Sequence, residues 1–300
     1  DQAIDQQKKI VIVGDYDADG ATSTALMILV LREMGAQVDY LVPDRFKYGY
    51  GLTPAIADLA FASFAPDLLI TVDNGISSHA GVDQAHAHGM QVIITDHHLT
   101  TKETPPAEAV VNPNQLGCDF ASKALAGVGV AFYVLANLSS LRAKQGKPSA
   151  KVVNYLDLVA LGTYADVASL DYNNRILIDA GLKRIQQGLC RAGISALLDI
   201  AGRDPAELKA QDLGFVLGPR INAAGRMETM DIGIECLIAP DLQAAYPLAQ
   251  QLNQLNVERR QVETQMKQEA LAELEQLQLD EKNLPSALIL FEPHWHQGVI

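Results

Sequence analysis

The sequence predicts an α/β fold that begins with a parallel sheet covered by helices on both faces. Short runs rich in β-branched residues alternate with helical stretches over the first two thirds of the chain, as in strand-helix-strand units. Each run is almost entirely apolar, which is typical of strands buried on both faces. From about residue 173 the pattern is helical until one more apolar run near the end. This indicates a helical region that leads into the start of a truncated second α/β domain.

The predicted elements follow in chain order. The strands of the sheet are predicted at residues 10–13, 38–42, 68–72, 92–95 and 109–111. The helices between and after them are predicted at residues 22–34, 54–64, 78–88, 123–141 and 152–161. A further strand is predicted at residues 287–291, where the second domain would begin.

A long helix is predicted at about residues 242–277, because apolar side chains recur there at helical spacing. The stripe consists of Leu248, Leu252, Leu255, Val262 and Met266. We expect this helix to pack against the body of the protein and to connect two domains. The predicted boundaries are therefore a parallel-sheet domain at 1–190, a helical region at 191–285 and a truncated domain at 286–300.

The composition is that of a globular chain. It has 300 residues, of which 48% are hydrophobic and 20% charged, and this length suits about two domains. The longest aliphatic run, residues 25–31, is far shorter than the roughly 20 residues that cross a membrane. We expect a soluble, cytoplasmic protein with no membrane partner. Because the chain starts at Asp1 and ends on an apolar run, we expect further sequence at both ends.

The formal net charge of −13 does not by itself exclude a nucleic-acid ligand. Phosphate-binding proteins usually carry a basic surface, but bound divalent cations and a few arginines can make one site locally positive. The three cysteines are odd in number and far apart, which argues against a disulfide framework or a C-x-x-C zinc site. The function must therefore be inferred from local motifs.

Acidic and imidazole side chains follow three of the predicted strands. Asp15, Asp17 and Asp19 come directly after the first strand, Asp73 after the third, and the Asp-His-His triplet 96–98 after the fourth. Ligands gather beyond the carboxyl ends of parallel strands, so these groups are expected to meet in one crevice. A dinucleotide-binding fold would have G-x-G-x-x-G in the first of these loops. Carboxylates in that position instead indicate divalent cations, which then bind phosphate.

The chemistry of these side chains favours Mg²⁺ or Mn²⁺. A single Asp after a strand is commonly a helix cap or a turn residue. Three such groups at equivalent places are poorly explained in that way. Several carboxylates with one or two imidazoles and no thiolate suit Mg²⁺ or Mn²⁺ better than structural zinc, and the imidazoles favour manganese.

The acidic motifs match those of a known superfamily in kind and in order. They are Asp-x-Asp-x-Asp-Gly at 15–20, Val-Asp-Asn-Gly at 72–75, Asp-His-His at 96–98 and Leu-Gly-Thr-Tyr-Ala-Asp-Val at 161–167. In these four motifs the chain resembles the DHH phosphoesterase superfamily. Further segments resemble the bacterial RecJ family of 5′→3′ single-strand DNA exonucleases within it. They lie at residues 43–45, 48–52, 125–129, 214–226 and 294–299.

The resemblance implies a centre of two divalent cations, Mn²⁺ or Mg²⁺, that activates water for phosphodiester hydrolysis. One ion would be held by Asp15, Asp17 and a bridging Asp73, and the other by Asp19, Asp73, His97 and Asp166. Val13 stands where some members carry a further metal-binding histidine, so one ion is expected to be held more weakly. The catalytic residues implied are Asp73 and His98. His98 would contact the scissile phosphate or the leaving group, and the alternative is that it supports His97.

The resemblance also implies a set of substrate-binding residues, Arg45, Tyr50, Arg220, Asn222, Arg226 and His296. The arginines would pair with DNA phosphates, which a guanidinium group matches with two hydrogen bonds. Tyr50 would stack on a base, although the glycines around it equally suit a simple turn. His296 would contact phosphate from the truncated second domain, which resembles a DHHA1 domain.

These motifs lead to one preferred function and several alternatives. The preferred one is a metal-dependent 5′→3′ exonuclease that acts on single-stranded DNA in repair and recombination. Single-strand-binding protein and repair or recombination helicases are its implied partners. The alternative is a DHH phosphodiesterase that hydrolyses short oligonucleotides, cyclic dinucleotides or pyrophosphate. A non-catalytic binding module is less favoured because the expected metal ligands remain, and an oxidoreductase because G-x-G-x-x-G is missing. We expect this chain alone to bind metal but to process DNA poorly.

Overall fold

The computed structural model describes residues 1–100, 103–276 and 286–299. Within them, five strands form one sheet in the order β2-β1-β3-β4-β5, and all neighbouring strands are parallel. The strands are β1 (Lys9–Val13), β2 (Gln37–Leu41), β3 (Leu68–Val72), β4 (Gln91–Thr95) and β5 (Ala109–Val111). The predicted parallel sheet is therefore confirmed, and each predicted strand end lies within one residue of the observed end.

Helices make up most of the remaining described residues. The first seven are α1 (Gln2–Asp5), α2 (Ala18–Glu33), α3 (Arg45–Tyr48), α4 (Pro54–Phe64), α5 (His79–Ala87), α6 (Gly127–Lys144) and α7 (Leu156–Ala165). The next six are α8 (Tyr172–Gln186), α9 (Ala192–Ile200), α10 (Ala210–Asp212), α11 (Gly218–Met227), α12 (Asp231–Ile238) and α13 (Leu242–Gln276). Short 3₁₀ turns lie at Val152–Tyr155 and Pro205–Glu207, and a π-helical segment at Leu213–Leu217.

The inner strands β1, β3 and β4 are buried on both faces, as their apolar sequences predict, whereas the edge strands β2 and β5 are partly exposed. Along β1, Ile10 and Ile12 pack with α2, α6 and α7 in one hydrophobic cluster. Val11 and Val13 point to the opposite face and pack with α4 and α5 in a second cluster. Successive side chains of a strand alternate between faces, so one apolar run contributes to two cores.

The strand order places a crevice between the ends of β1 and β3. From β1 the chain moves outward to β2, then returns to β3 on the other side of β1 and continues through β4 to β5. Neighbouring strands that are followed by connections in opposite directions leave a gap beyond their carboxyl ends, where ligands bind in open parallel sheets. Asp15 follows β1 and Asp73 follows β3, so the acidic residues lie at this gap.

The long helix is confirmed over Leu242–Gln276, and residue 277, its predicted end, lies outside the described residues. The predicted stripe faces the body of the protein. Leu252, Leu255 and Met266 are buried, and the remaining two members are half-buried. No helix of the described residues is long and apolar enough to span a bilayer.

The strand predicted at residues 287–291 is wrong for this structure, in which these residues have no regular secondary structure. Ile289 is 92% exposed and Phe291 is 77% exposed. A strand needs a neighbouring strand for its backbone hydrogen bonds, and no described strand pairs with this segment. The apolar pattern by itself could not supply that neighbour.

Candidate metal centre

The three carboxylates that follow β1 are held at the crevice by hydrogen bonds from backbone N–H groups. Asp15 is 7% exposed and its Oδ1 accepts the Tyr16 N–H at 2.8 Å. Asp17 caps α2, because its Oδ1 accepts the Gly20 N–H at 2.9 Å. The helix therefore begins inside the acidic motif, four residues before the predicted start, since aspartate is a good N-cap.

Asp19 lies in the first turn of α2 and is fully buried. Its two carboxylate oxygens accept the N–H groups of Gly127 at 2.6 Å and Val128 at 2.9 Å, at the start of α6. The N-terminus of a helix carries partial positive charge and unpaired N–H groups, so it stabilises the carboxylate there. Asp19 thus joins α6 to the metal loop, by which we mean residues 15–19.

Asp73 follows β3 in the left-handed conformation, with φ of +62°, and is 2% exposed. Aspartate adopts this conformation more readily than most residues. The next residue, Asn74, donates from Nδ2 to Val13 O at 3.1 Å and to Val72 O at 2.9 Å. Asn74 therefore ties the end of β1 to the end of β3, which fixes Asp73 beside the metal loop.

His97 and His98 follow β4 and have different surroundings. His97 Nε2 lies 3.1 Å from Asp73 Oδ1 and 3.9 Å from Asp19 Oδ2. His98 Nδ1 lies 2.7 Å from Asp96 Oδ1, and its Nε2 lies 3.3 Å from the Tyr50 hydroxyl. The side chain of His98 is 45% exposed. His97 thus faces the carboxylates, whereas His98 faces the open side of the crevice.

Asp166 reaches the same place from the C-terminal end of α7. Helix α7 can approach α2 closely because Gly162 has no side chain. A Cβ built on Gly162 would lie 2.2 Å from Thr22 Oγ1 and 3.0 Å from Asp19 Oδ1. The glycine of the motif at 161–167 is therefore a packing requirement for bringing Asp166 to the site.

The six predicted metal ligands come together in overlapping groups, one of which also contains His98. The groups whose ligand atoms lie within 4.8 Å of one another are Asp15-Asp17-Asp73, Asp19-His97-Asp166 and Asp73-His97-His98. Asp73 and His97 each belong to two groups. The structure thus brings together the side chains that the sequence placed in two ion sites.

Two buried atoms at the centre of the cluster indicate that a cation fits there. Asp73 Oδ1 and His97 Nε2 have no hydrogen-bond partner, although they lie 3.1 Å apart. An unpaired buried carboxylate oxygen or imidazole nitrogen is costly, and coordination to a cation satisfies both. Carboxylates with one or two imidazoles suit Mg²⁺ and Mn²⁺. The residues present therefore fit these ions.

The sequence comparison agrees with this geometry. The family model for the DHH family, N-terminal domain, matches residues 9–163, which is more than half of the chain. The chain belongs to the DHH family. The matched residues include the whole sheet and five of the six predicted metal ligands, and Asp166 lies three residues beyond their end.

Relatives of this DHH chain include RecJ proteins. It is 54% identical over its whole length to the single-stranded-DNA-specific exonuclease RecJ of Dickeya dadantii (strain 3937), of which it covers 53%. A crystal structure of exonuclease RecJ bound to manganese superposes with a TM-score of 0.85 at 36% identity, covering 99% of this chain and 72% of the other. For RecJ in complex with Mg²⁺ from Thermus thermophilus the TM-score is 0.72 at 32% identity, covering 99% and 38%. The chain spans about half the length of the curated relatives it matches.

Three residues support the two histidines through hydrogen bonds that the sequence did not predict. Asp96 is 1% exposed and accepts hydrogen bonds from the Ile76 and His97 N–H groups as well as from His98. Asn112 donates to His98 O at 3.0 Å, and Asn114 donates to His97 O at 2.6 Å. The Asn-Pro-Asn at 112–114, directly after β5, was the available signal, because β5 lies beside β4 in the sheet.

The predicted substrate residues lie in two places on this DHH chain. Arg45 lies 5.8 Å over the Tyr16 ring, and Tyr50 interacts with Asp15 as well as with His98, so both border the metal loop. His296 and Phe46, a residue of α3, contact each other and line the same cavity of about 800 Å³. Arg226 lies at the end of α11, where its carbonyl oxygen borders Gly298.

The other two predicted substrate residues, Arg220 and Asn222, make hydrogen bonds within the chain. Arg220 donates to Val216 O at 2.6 Å and to Asn253 Oδ1 at 3.0 Å. Asn222 Oδ1 accepts the Ala18 N–H at 2.6 Å. Their assignment as substrate contacts is not tested by these bonds and stays a prediction.

The electrostatics of the cluster favour protons in the absence of metal. Burial, and then repulsion from Asp17, raises the pKa of Asp15 and of Asp166 to about 7. Burial followed by neighbouring carboxylates also raises the pKa of Asp19 and Asp73 well above the usual range. Burial lowers the pKa of His97, whereas the hydrogen bond to Asp96 raises that of His98.

We expect Mn²⁺ affinity to rise with pH up to about 7, because protons compete with the cation for Asp15 and Asp166. In the metal-free protein, carboxyl groups with a raised pKa contribute to the stability of the fold. This contribution is fully present below about pH 4, the ordinary carboxyl pKa, and is lost as the pH rises through about 7. Calorimetric titration with Mn²⁺ in two buffers of different ionisation enthalpy counts the protons released. Asp15→Asn should release fewer protons. An affinity that does not change between about pH 5 and about pH 8 would contradict the expectation.

Proposed function

We propose that this DHH chain is the metal-binding part of a 5′→3′ exonuclease that hydrolyses single-stranded DNA with two divalent cations, Mn²⁺ or Mg²⁺. The observation that carries the proposal is Asp73, which belongs to one ligand group with Asp15 and Asp17 and to another with the histidines. A carboxylate shared in this way is what a two-ion centre requires. The similarity to RecJ over the whole chain supports DNA as the substrate.

Two cations at this centre would polarise the phosphate and activate water for attack at phosphorus. The residues of the chain position the substrate. His98 is anchored through Nδ1 to Asp96 and offers Nε2 to the open crevice, within reach of a phosphate oxygen or a leaving group. Tyr50 shares that side of the crevice, and its hydroxyl interacts with both His98 and Asp15.

Arginines supply positive charge for the DNA backbone in a chain whose net charge is −13. Burial lowers the pKa of Arg220, and repulsion from Arg260 and Arg203 lowers it further. Arg203 and Arg260 therefore lie close enough to Arg220 for their charges to act on its guanidinium group. Such a cluster suits successive phosphates of a flexible strand.

The proposal is tested with DNA labelled at the 5′ or the 3′ end, single-stranded and duplex, in Mn²⁺, in Mg²⁺ and in EDTA. We expect mononucleotides to be released from the 5′ end of single strands, and no release in EDTA. A chimera that continues beyond residue 300 with the sequence of the Dickeya dadantii relative is measured in parallel, because that relative is about twice as long. We expect the chimera to be the faster enzyme.

The same assay includes a cyclic dinucleotide, a short oligonucleotide and pyrophosphate. Hydrolysis of these compounds without degradation of longer DNA would replace the proposal with the alternative DHH phosphodiesterase. Equal rates on single-stranded and duplex DNA would contradict the proposed strand specificity. A role in repair and recombination, with single-strand-binding protein and helicases as partners, extends the proposal and is tested separately by pull-down with the purified proteins.

Replacing Arg220 or Arg226 with alanine is expected to weaken binding of single-stranded DNA and to flatten its salt dependence. Each lost phosphate contact reduces the slope of log affinity against log salt concentration by about 0.7 to 1. Fluorescence anisotropy over a range of salt concentrations measures the slope. The control is Lys183→Ala, which removes a charge that is already paired with Asp179 on α8. Slopes equal to the wild-type value in both arginine variants would assign these arginines to folding alone.

A further inference from the structure

Helix α11 contacts the metal loop although the two are far apart in sequence. The Ala18 N–H donates a 2.6 Å hydrogen bond to Asn222 Oδ1, 204 positions later in the chain. A Cβ built on Gly225 would lie 2.0 Å from the carbonyl oxygen of Tyr16. Asn222 and Gly225 are three residues apart, so they share one face of α11. That face lies directly on the backbone of the loop that carries Asp15, Asp17 and Asp19.

The hydrogen bond from Ala18 gives an acceptor to one of the N–H groups at the start of α2. The first N–H groups of a helix have no acceptor within the helix. The side chain of Asp17 accepts the Gly20 N–H, and Asn222 accepts the Ala18 N–H. Ala18 is 1% exposed, so water has little access to replace that acceptor. Removing it would leave a buried N–H unpaired between two metal ligands.

We propose that Asn222 is a positioning residue of the metal centre, which holds the metal loop through Ala18 and does not contact DNA. The inference rests on the metal centre of the proposed function. Asp17 precedes Ala18 and Asp19 follows it, so a shift of this one amide moves a ligand of each predicted ion. Loss of a group that orients metal ligands lowers metal affinity by about 10- to 100-fold.

Two substitutions of Asn222 distinguish the effect of its acceptor oxygen from that of the rest of its side chain. Asn222→Leu keeps roughly the same volume and removes the acceptor, whereas Asn222→Asp keeps an oxygen acceptor and removes the amide nitrogen. The dissociation constant for Mn²⁺ is measured without DNA, from the electron paramagnetic resonance signal of the free ion. We expect it to rise about 10- to 100-fold for Asn222→Leu and to stay within about threefold of wild type for Asn222→Asp.

A direct contact between Asn222 and DNA phosphate predicts the opposite pattern. The negative charge of Asn222→Asp would then repel the phosphate, so this variant would bind single-stranded DNA most weakly. Mn²⁺ affinity would be unchanged in both variants. Anisotropy with a phosphorothioate oligonucleotide, which resists hydrolysis, measures the DNA affinity of each variant at saturating Mn²⁺.

The matched control is Asn253→Leu, which removes another long-range hydrogen bond of α11, the one from Arg220, away from the metal loop. We expect its Mn²⁺ affinity to equal that of the wild type. The rise in Tm on adding Mn²⁺ is compared within each variant, so a general loss of stability cancels. Asn222→Ala, which adds no new contact, gives the same comparison if the leucine variant does not fold.

The inference is overturned if Asn222→Leu binds Mn²⁺ as tightly as the wild type, or if Asn222→Asp binds it as weakly as Asn222→Leu. Because Mn²⁺ binding is measured without DNA, this failure is distinct from failure of the proposed nuclease. A chain with no nuclease activity can still have the predicted metal affinities, and an active nuclease can lack them.

Discussion

Asp73→Asn is expected to abolish hydrolysis of DNA while the fold persists. Asp73 belongs to two of the three ligand groups, and the proposed function assigns it to both ions. We expect the rate of nucleotide release to fall at least about a hundredfold, since losing one electrostatic contact to a transition state already costs that much. The number of Mn²⁺ ions bound per chain should fall as well. Both quantities are measured in this chain and in the chimera.

Asparagine is the informative replacement because of the local backbone. Asp73 has φ of +62°, a conformation that asparagine tolerates and alanine adopts with strain. Helix α6 also packs against the Asp73 side chain, as a Cβ on Gly127 would lie 2.6 Å from it. Asparagine keeps the size and the backbone preference and removes only the charge.

Asp73→Asn should raise the Tm of the metal-free protein and reduce the stabilisation that Mn²⁺ provides. Burial and neighbouring carboxylates raise the pKa of Asp73, so a neutral side chain relieves repulsion in the metal-free protein. In EDTA the Tm should therefore rise, whereas the increase in Tm on adding Mn²⁺ should shrink. The control is Asp83→Asn, an exposed carboxylate on α5. Retention of more than about a tenth of the rate would show that Asp73 does not bridge the ions.

The sequence predicted the sheet and the centre of the site because both depend on local patterns. Strands buried on both faces are apolar throughout, and the acidic motifs follow those strands directly. Convergence of Asp15 with Asp73 then follows from the parallel sheet, whose strands share one carboxyl edge. Asp166 could be assigned only through the family resemblance, since nothing in its local pattern indicates that α7 packs against α2 through Gly162.

The contacts that the sequence did not predict join residues far apart in the chain. Asn112 and Asn114 hold the backbone of the two histidines, and Asn222 holds the metal loop. An asparagine in a loop or helix has many possible partners, and periodicity gives no information about which backbone group it meets. The strand predicted at residues 287–291 is the converse case, because its apolar pattern was real but no described strand pairs with it.

His98→Asn is expected to lower the rate of nucleotide release by about a hundredfold or more while leaving Mn²⁺ binding intact. Its Nδ1 is held by Asp96 at 2.7 Å, and asparagine can place an amide nitrogen near that position. What the variant lacks is Nε2, the atom that faces the open crevice. Proton transfer by a positioned side chain contributes about 10²- to 10⁴-fold to a rate, which sets the expected loss.

The measurement compares kcat for nucleotide release with Mn²⁺ affinity in His98→Asn, His97→Asn and His88→Asn. His97→Asn should lose Mn²⁺ affinity, because Nε2 of His97 lies among the carboxylates. His88 is the matched control, a histidine paired with Asp58 at 2.6 Å and outside the metal groups of the described residues. A normal rate in His98→Asn would reduce His98 to a support for His97. Weakened Mn²⁺ binding would instead make His98 a ligand, in the group that it forms with Asp73 and His97.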